Sequence, residues 1–486
     1  MEKHLMKNRN SCFKPRSLFK AIPLVVAALT LGHATSAQAY TDLTVAVDPA
    51  SPNDHTAVIQ TALNNTSYDR VILPYRSAGW ISRMLYIDHA VTLWIKGSGS
   101  TPGKLVAKRR VSTDTPTSSS TPFRNSPDSL ITIRSSNVHI NGYSDFVNKS
   151  TGTATVQMWK TDYANPTFYT ASQYRHGIRV VNNFGAGSFS NISVKGVLVK
   201  DTGGDGVNID GGEFGTNYIV HEVTTDNTYR NGMSVISADT LTITDSVFRN
   251  SNGSSPEAGI DFEPNAQVLG DDPNTPLVEV RNQSRLTNIK IWDSIFEDNA
   301  QDGVQVQMMN YRGTGIPAKA LGIYFYRCVI DDNAEKGVQL SSLETDGPGS
   351  GTVYFQGCTI SDNLKEGVYV SVWNAGQARI TFNTCTLTNN AMSSSSLESF
   401  YVTHSNFQGL ILGNILFQNG CIINDNHTNR LNVMASASAY SGAHTDEIRG
   451  DVTINHKSQN PNFAPVYWFD DNTTTPMTWT SNYVGP

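Results

Sequence analysis

The chain is predicted to be all-β, a right-handed parallel β-helix (a solenoid) with a short N-terminal capping helix. Three observations predict it. First, a Gly-led alternating strand recurs at Gly177, Gly206, Gly232, Gly259, Gly303, Gly337 and Gly367, at intervals of 29, 26, 27, 44, 34 and 30 residues. Second, each is preceded by another short strand closed by an Asn/Asp turn, as in Ile289-Lys-Ile-Trp-Asp-Ser-Ile-Phe-Glu-Asp-Asn. Third, a unit this short leaves no room for a crossover helix, so strand must stack on strand. Parallel connections are nearly always right-handed.

The elements follow in order. Residues 1–39 read as an export signal: a basic stretch from Lys3 to Lys20, an apolar run from Ala21 to Leu31, and Ala37-Gln38-Ala39 as a cleavage site before Tyr40. The apolar run is too short for a stable membrane span. Asn53-Asp54-His55 precedes an amphipathic segment over Thr56 to Leu63, which predicts a helix covering the open edge of the first coil. Asp69 to Pro74 supplies the first strand, Ser112 to Pro122 a loop, and Ala266 to Ser284 an insertion that lengthens one interval. The period fades after Asn390. The expected organisation is a signal over 1–39, a β-helix over 40–424 and an irregular C-terminal cover over 425–486.

Composition agrees with an exported, turn-rich protein. Only 16% of residues are charged and 36 Lys and Arg face 42 Asp and Glu, a net charge of −6 that argues against a nucleic-acid surface. No membrane insertion is expected after signal cleavage, and the expected location is secreted or periplasmic. Cys12 lies in the leader. Cys328, Cys358 and Cys385 recur with the repeat, with Ser294 at the equivalent place one coil earlier, so they are expected to stack as small interior side chains without bridging.

Period two assigns the faces. Residues one and three after each Gly are apolar and point inward. Those two after it read Arg179, Asn208, Ser234, Asp261, Gln305, Gln339 and Tyr369; those four after it include Asp210, Glu263, Gln307, Ser341 and Ser371. Carboxylates are thus confined to two coils of an amide-lined outward face. Asp210, Asp261 and Glu263 are the candidate acid/base groups, with Asp205 a turn residue that joins them. Asp210 and Glu263 stand two strands apart, on the order of 9.6 Å. Glycosidases use carboxyl pairs at about 5–5.5 Å or about 6.5–9.5 Å. Solvated polar residues on an exposed sheet are the bland alternative, and Ca²⁺ binding by the same oxygens is a third; no other cofactor is expected. Candidate substrate-binding residues are Arg175, His176, Arg179, Asn208, Arg230, Gln305 and Gln307. Lys160 and Asp162 are weaker candidates, and Trp159, Tyr163, Tyr174, Tyr229, Tyr311 and Trp373 are candidate stacking platforms.

The segments Gln157-Met-Trp-Lys-Thr-Asp-Tyr-Ala-Asn-Pro, Tyr174-Arg-His-Gly, Gly203-Gly-Asp-Gly, Tyr229-Arg-Asn-Gly-Met-Ser-Val-Ile-Ser-Ala and Ala258-Gly-Ile-Asp-Phe-Glu-Pro-Asn, set in this repeat, resemble the pectate-lyase-like, carbohydrate-active β-helix superfamily. The resemblance covers nearly all of the chain after residue 39. The Asn-Thr-Asp and Gly-His-Gly pattern of polygalacturonases and the Asp-Pro-His-Asp of alginate epimerases are absent. The resemblance implies action on a poly- or oligosaccharide. Hydrolysis by carboxylates is the expected chemistry. The alternatives are a uronate-directed lyase, disfavoured because the outward columns hold only one Arg and no Lys, and a non-catalytic glycan-binding surface protein.

Overall fold

The computed structural model describes residues 40–115, 121–125, 128–145, 153–169, 173–182, 189–211, 215–264, 285–307, 321–341, 351–371, 378–404, 414–438, 448–468 and 477–485. The expected export signal and the insertion over Ala266 to Ser284 lie outside the described residues.

Strand stacks on strand in a right-handed parallel β-helix. Every pairing between the named strands is parallel. One sheet contains the Gly-led strands, including Ile178–Asn182, Val207–Gly211, Met233–Val235, Ile260–Phe262, Val304–Gln307, Val338–Ser341 and Val368–Ser371. Their register runs Val207↔Met233↔Ile260↔Val304↔Val338, so equivalent residues of successive coils form columns. A larger 22-stranded sheet carries the strands that precede and follow them.

The inner columns are like on like. Phe325, Phe355, Phe382 and Phe417 stack with ring centroids 4.8, 5.1 and 5.4 Å apart. The Val and Ile columns beside them are fully buried, each side chain contributing about 1.5–3 kcal/mol by leaving water. At the turns, Asp298, Asp332, Asp362 and Asn389 adopt φ of 53–56°. Asp and Asn tolerate that conformation better than other side chains. The Asn that follows each of them turns inward, and Asn299, Asn333, Asn363 and Asn390 form a buried amide ladder with Nδ2–Oδ1 links of 2.9, 2.8 and 2.8 Å. Cys328, Cys358, Cys385 and Cys421 are free and buried. The first three continue the column begun by Ser246 and Ser294, as the spacing predicts, and Cys421 extends it.

The helix Thr56–Leu63 covers the N-terminal coil, burying Ile59, Ala62 and Leu63 in the core. At the other end the expectation of an irregular cover is corrected. Met434–Ser438 pairs with Phe400–His404, Ile448–His456 with Ile415–Asp425, and Met477–Tyr483 with Ile448–His456, so coils continue to the C-terminal strand. The repeat is hard to see there because Ser399 and Val433 stand where the earlier coils have Gly, while the inward positions Phe400, Val402 and Met434 remain apolar and buried.

Candidate active site

Three adjacent Gly-led strands build a cluster of charge on the outer face. The position of the Gly explains how. A Cβ on Gly206 would lie 2.6 Å from Thr225 Cγ2 and 2.7 Å from the Gly232 carbonyl oxygen. Only glycine enters the strand this tightly. The residue before it, Asp205, turns its side chain to the outer face, where Oδ2 accepts from Asn208 Nδ2 at 2.9 Å. Residues just before each Gly therefore form a third outer column: His176, Asp205, Asn231, Ala258, Asp302, Lys336 and Glu366. Strict alternation from the Gly places them inside, which is why Asn231, Asp302 and Lys336 escape the sequence reading. Their run of polar residues was the available signal.

Arg230 is the centre of the cluster. It comes from the turn before Gly232, and its guanidinium lies among three carboxyl groups. Nη2 donates to Glu263 Oε2 at 3.0 Å, and the terminal nitrogens stand 3.7 Å from Asp205 Oδ2 and 3.7 Å from Asp261 Oδ2. Asp205 and Asp261 are fully buried; Glu263 keeps 25% of its side-chain surface. Asn231 ties the strands together, Nδ2 donating to Ser234 Oγ at 3.0 Å and to Asp261 Oδ2 at 3.2 Å. Nδ1 of the buried His176 lies 3.0 Å from the Asp205 backbone nitrogen and 3.3 Å from its Oδ2.

The two buried carboxyls are driven in opposite directions. Burial alone would raise Asp205, but the charge and hydrogen bond of His176, then Arg230 and Asn208, outweigh it and hold the group at about 2. For Asp261 burial dominates. The adjoining Glu263 carboxyl adds to it, Arg230 only partly opposes it, and Asp261 is pushed well above the usual carboxylate range. Its Oδ1 is buried and meets no donor, the environment of a protonated oxygen.

Asp210 lies elsewhere in the cluster. It is held by Arg179 from the neighbouring strand and keeps 29% of its side-chain surface. Its column runs Asp210, Ile236, Glu263, with Ile236 N donating to Ile209 O and Glu263 N to Val235 O. Asp210 and Glu263 are therefore the two carboxyls open to solvent, two strand spacings apart, about 9.6 Å between backbones. Asp205 and Asp261 lie behind them.

Some candidates have other work. Arg175 is fully buried, with Nε donating to Phe123 O at 2.6 Å, Nη2 to Arg124 O at 2.7 Å, and the guanidinium 5.2 Å from the Tyr169 ring centroid. It pins the 121–125 segment, and the expectation that it holds substrate is corrected: a guanidinium spent on buried carbonyls has no face left. Lys160 is spent on Asn227 Oδ1, Thr228 O and Asn252 Oδ1, and Asp162 on Arg109. Trp159 and Tyr163 pack with the core, while Tyr311 and Trp373 lie outside the described residues. Arg230 and Lys336 also reach the outer face, so its columns are richer in cations than alternation indicates. Gln305 is buried and Gln307 half-buried, both on the outer columns. The Ca²⁺ reading would require the ion to compete with Arg230 for the same oxygens. Among the described residues no group of three or more His, Cys, Asp or Glu side chains is arranged to hold a metal ion, and no helix is long and apolar enough to cross a membrane.

No curated protein matches the chain. Among solved structures, similar folds include the A-module of the Azotobacter vinelandii mannuronan C-5 epimerase AlgE4 (13% identity, 88% of this chain and 96% of that one, TM-score 0.49). Others are the Yersinia enterocolitica Family 28 exopolygalacturonase (13%, 91% and 78%, TM-score 0.47) and the polygalacturonase of Erwinia carotovora ssp. carotovora (14%, 90% and 94%, TM-score 0.41). Residues 273–440 match the family described as "Right handed beta helix region". That match agrees with the right-handed parallel β-helix of the coil stack described above.

Proposed function

We propose that the protein is an exported carbohydrate-active enzyme that hydrolyses glycosidic bonds of a poly- or oligosaccharide with inversion. The observation that carries this reading is the pair of solvent-facing carboxyls, Glu263 and Asp210, two strands apart, with the buried Asp261 beside Glu263. Glu263 adjoins the buried Asp261, whose carboxyl burial pushes well above the usual range, and is assigned the acid role. Asp210 pairs with the Arg179 guanidinium and is assigned the base role. In the reaction Glu263 gives its proton to the glycosidic oxygen. Asp210 takes a proton from the water that attacks the anomeric carbon from the opposite side. The spacing is close to the inverting range of about 6.5–9.5 Å. Asp261 touches no substrate; it holds the proton that recharges Glu263. Asp205 and His176 anchor Arg230 from behind.

The lyase reading needs a cation free to neutralise a uronate carboxylate. Arg230 reaches the face, but one guanidinium already meets three carboxyl groups there, and Arg179 pairs through Nη2 with Asp210. A bound uronate would add a further negative charge beside Glu263, which favours a neutral sugar at this point.

The test is product analysis on a panel of neutral and uronic glycans. New reducing ends of inverted anomeric configuration, without absorbance at 235 nm, are expected. Glu263→Gln and Asp210→Asn should each lose ~10²–10⁴-fold in turnover while retaining the fold. Unsaturated ends, retained configuration, or near-parental turnover in both variants would overturn the assignment. For export, the expected N-terminus of secreted material is Tyr40, and a product retaining residues 1–39 would refute it.

A further inference from the structure

The outer columns do not end at the carboxyls. On the C-terminal side the column that contains Asp261 continues as Gln305, Gln339, Tyr369 and Tyr401, in register through four successive strands. We propose that this stretch is a distal binding subsite for the hydroxyl-rich chain of a neutral glycan, with Tyr369 and Tyr401 as its ring platform and Gln305 and Gln339 as its amides. The inference rests on the hydrolase reading for which end of the ligand reacts, but not for the existence of the subsite.

Two observations separate this stretch from an ordinary ladder. The first is the ring geometry. Trp292 and Tyr326, on the other sheet, stack 3.8 Å apart and 12° from parallel, so each covers the other's face. Tyr369 and Tyr401 are 5.9 Å apart and tilted by 38°. Both are half-buried; Lys336 Nζ lies over one face of Tyr369, and the splay keeps the two rings from covering each other. The second is an unmet acceptor. Gln305 is 95% buried, on the same column, and its Oε1 has no donor. An orphaned buried acceptor is unfavourable, and a ligand hydroxyl at that position would relieve it.

The charges nearby select the ligand class. Lys336 Nζ lies 5.2 Å from the Tyr369 ring centroid and 3.7 Å from Asp302 Oδ1. Asp302 and Glu366 flank Lys336 in its column, and Glu398 lies close to Glu366. Lys365 and Arg430 also act on these acids, and burial raises Asp302 to about 6 and Glu398 to about 7, so the patch carries little net charge and offers carboxyl oxygens to sugar hydroxyls. From the Glu263 strand to the Tyr401 strand is four spacings, on the order of 19 Å, so the ligand is a chain of several sugars running toward the C-terminal coils.

The experiment is calorimetric titration of the Glu263→Gln protein with cello-, manno-, xylo- and malto-oligosaccharides of two to six or more units. At least one series should bind about tenfold or more tightly once the chain is long enough to reach the tyrosines. Adding Tyr369→Ala and Tyr401→Ala should remove that gain and leave the shorter chains unchanged. Tyr369→Phe with Tyr401→Phe should keep most of it, which separates a ring platform from general loss of fold. An unchanged length dependence in the alanine pair, or no binding by any series, overturns the proposal. Long chains that bind through the tyrosines but are never cleaved by the parent protein would refute the hydrolase reading and leave the subsite standing; cleavage indifferent to the tyrosines would do the reverse.

Discussion

Replacing Arg230 with Met tests the electrostatic core of the site without needing a substrate. The side chain is 14% exposed and faces two fully buried carboxyls and the partly exposed Glu263. Methionine keeps much of the volume and removes the charge. Taking one partner from a buried ionic cluster costs about 3–5 kcal/mol, because the remaining charges stay behind without compensation. The cost depends on pH, with a definite sign. Asp261 has a folded pKa raised above its ordinary 3.8, so its contribution is present below that value and is lost as pH rises through the folded one. Asp205 is held at about 2 partly by Arg230, and without it Asp205 moves upward as well. The folded variant therefore binds more protons than the parent. Its deficit is smallest in acid and widens with rising pH, by up to about 1.4 kcal/mol per pH unit for each extra proton. Equilibrium urea unfolding followed by circular dichroism at pH 5 and pH 8 reads this directly. A variant as stable as the parent at pH 8, or one with the larger deficit at pH 5, would refute the reasoning.

Asn333→Ala removes an interior amide that makes four hydrogen bonds, with Asn299 N, Asn299 Nδ2, Phe296 O and Asn363 Oδ1. It should lower stability by roughly 3–5 kcal/mol, whereas Asn482→Ala, which loses only an exposed contact to Asn455, should stay within about 0.5 kcal/mol in the same urea titration. Thiol titration of the chain from Tyr40 onward should find Cys328, Cys358, Cys385 and Cys421 unreactive when native and all reactive in urea without reductant. Any shortfall after unfolding would reveal a bridge.

The coil architecture was legible because two local signals repeat: a Gly that no side chain can replace without collision, and apolar residues at alternate positions after it. Where the Gly gives way to Ser399 or Val433, only pairing with the preceding coil reveals the strand, and the C-terminal coils pass for cover. The site was half legible. Asp210, Asp261 and Glu263 stand out because the columns can be written down from the repeat. Their different environments cannot, because these come from residues outside the alternating frame. Arg230 reaches in from a turn, and Asp205 points outward from the position before its Gly, against strict alternation. Arg175 shows the converse: a cation adjacent in sequence to the acidic coils that the fold spends on two backbone carbonyls.

The column register has a consequence for reaction stereochemistry. In a solenoid the distance between two outward groups changes only in steps of one coil, ~4.8 Å. Asp210 and Glu263 are separated by a single intervening strand, that of Ile236. Excising one whole coil, Gly232 through Ala258, would leave Arg230 in place, keep the columns in phase and set the two carboxyls one step apart. That step is close to the ~5–5.5 Å of retaining glycosidases. The coil count between catalytic groups thus acts as a ruler with two marks, and adding or losing one repeat moves such a site from one stereochemical outcome to the other while every individual coil stays the same.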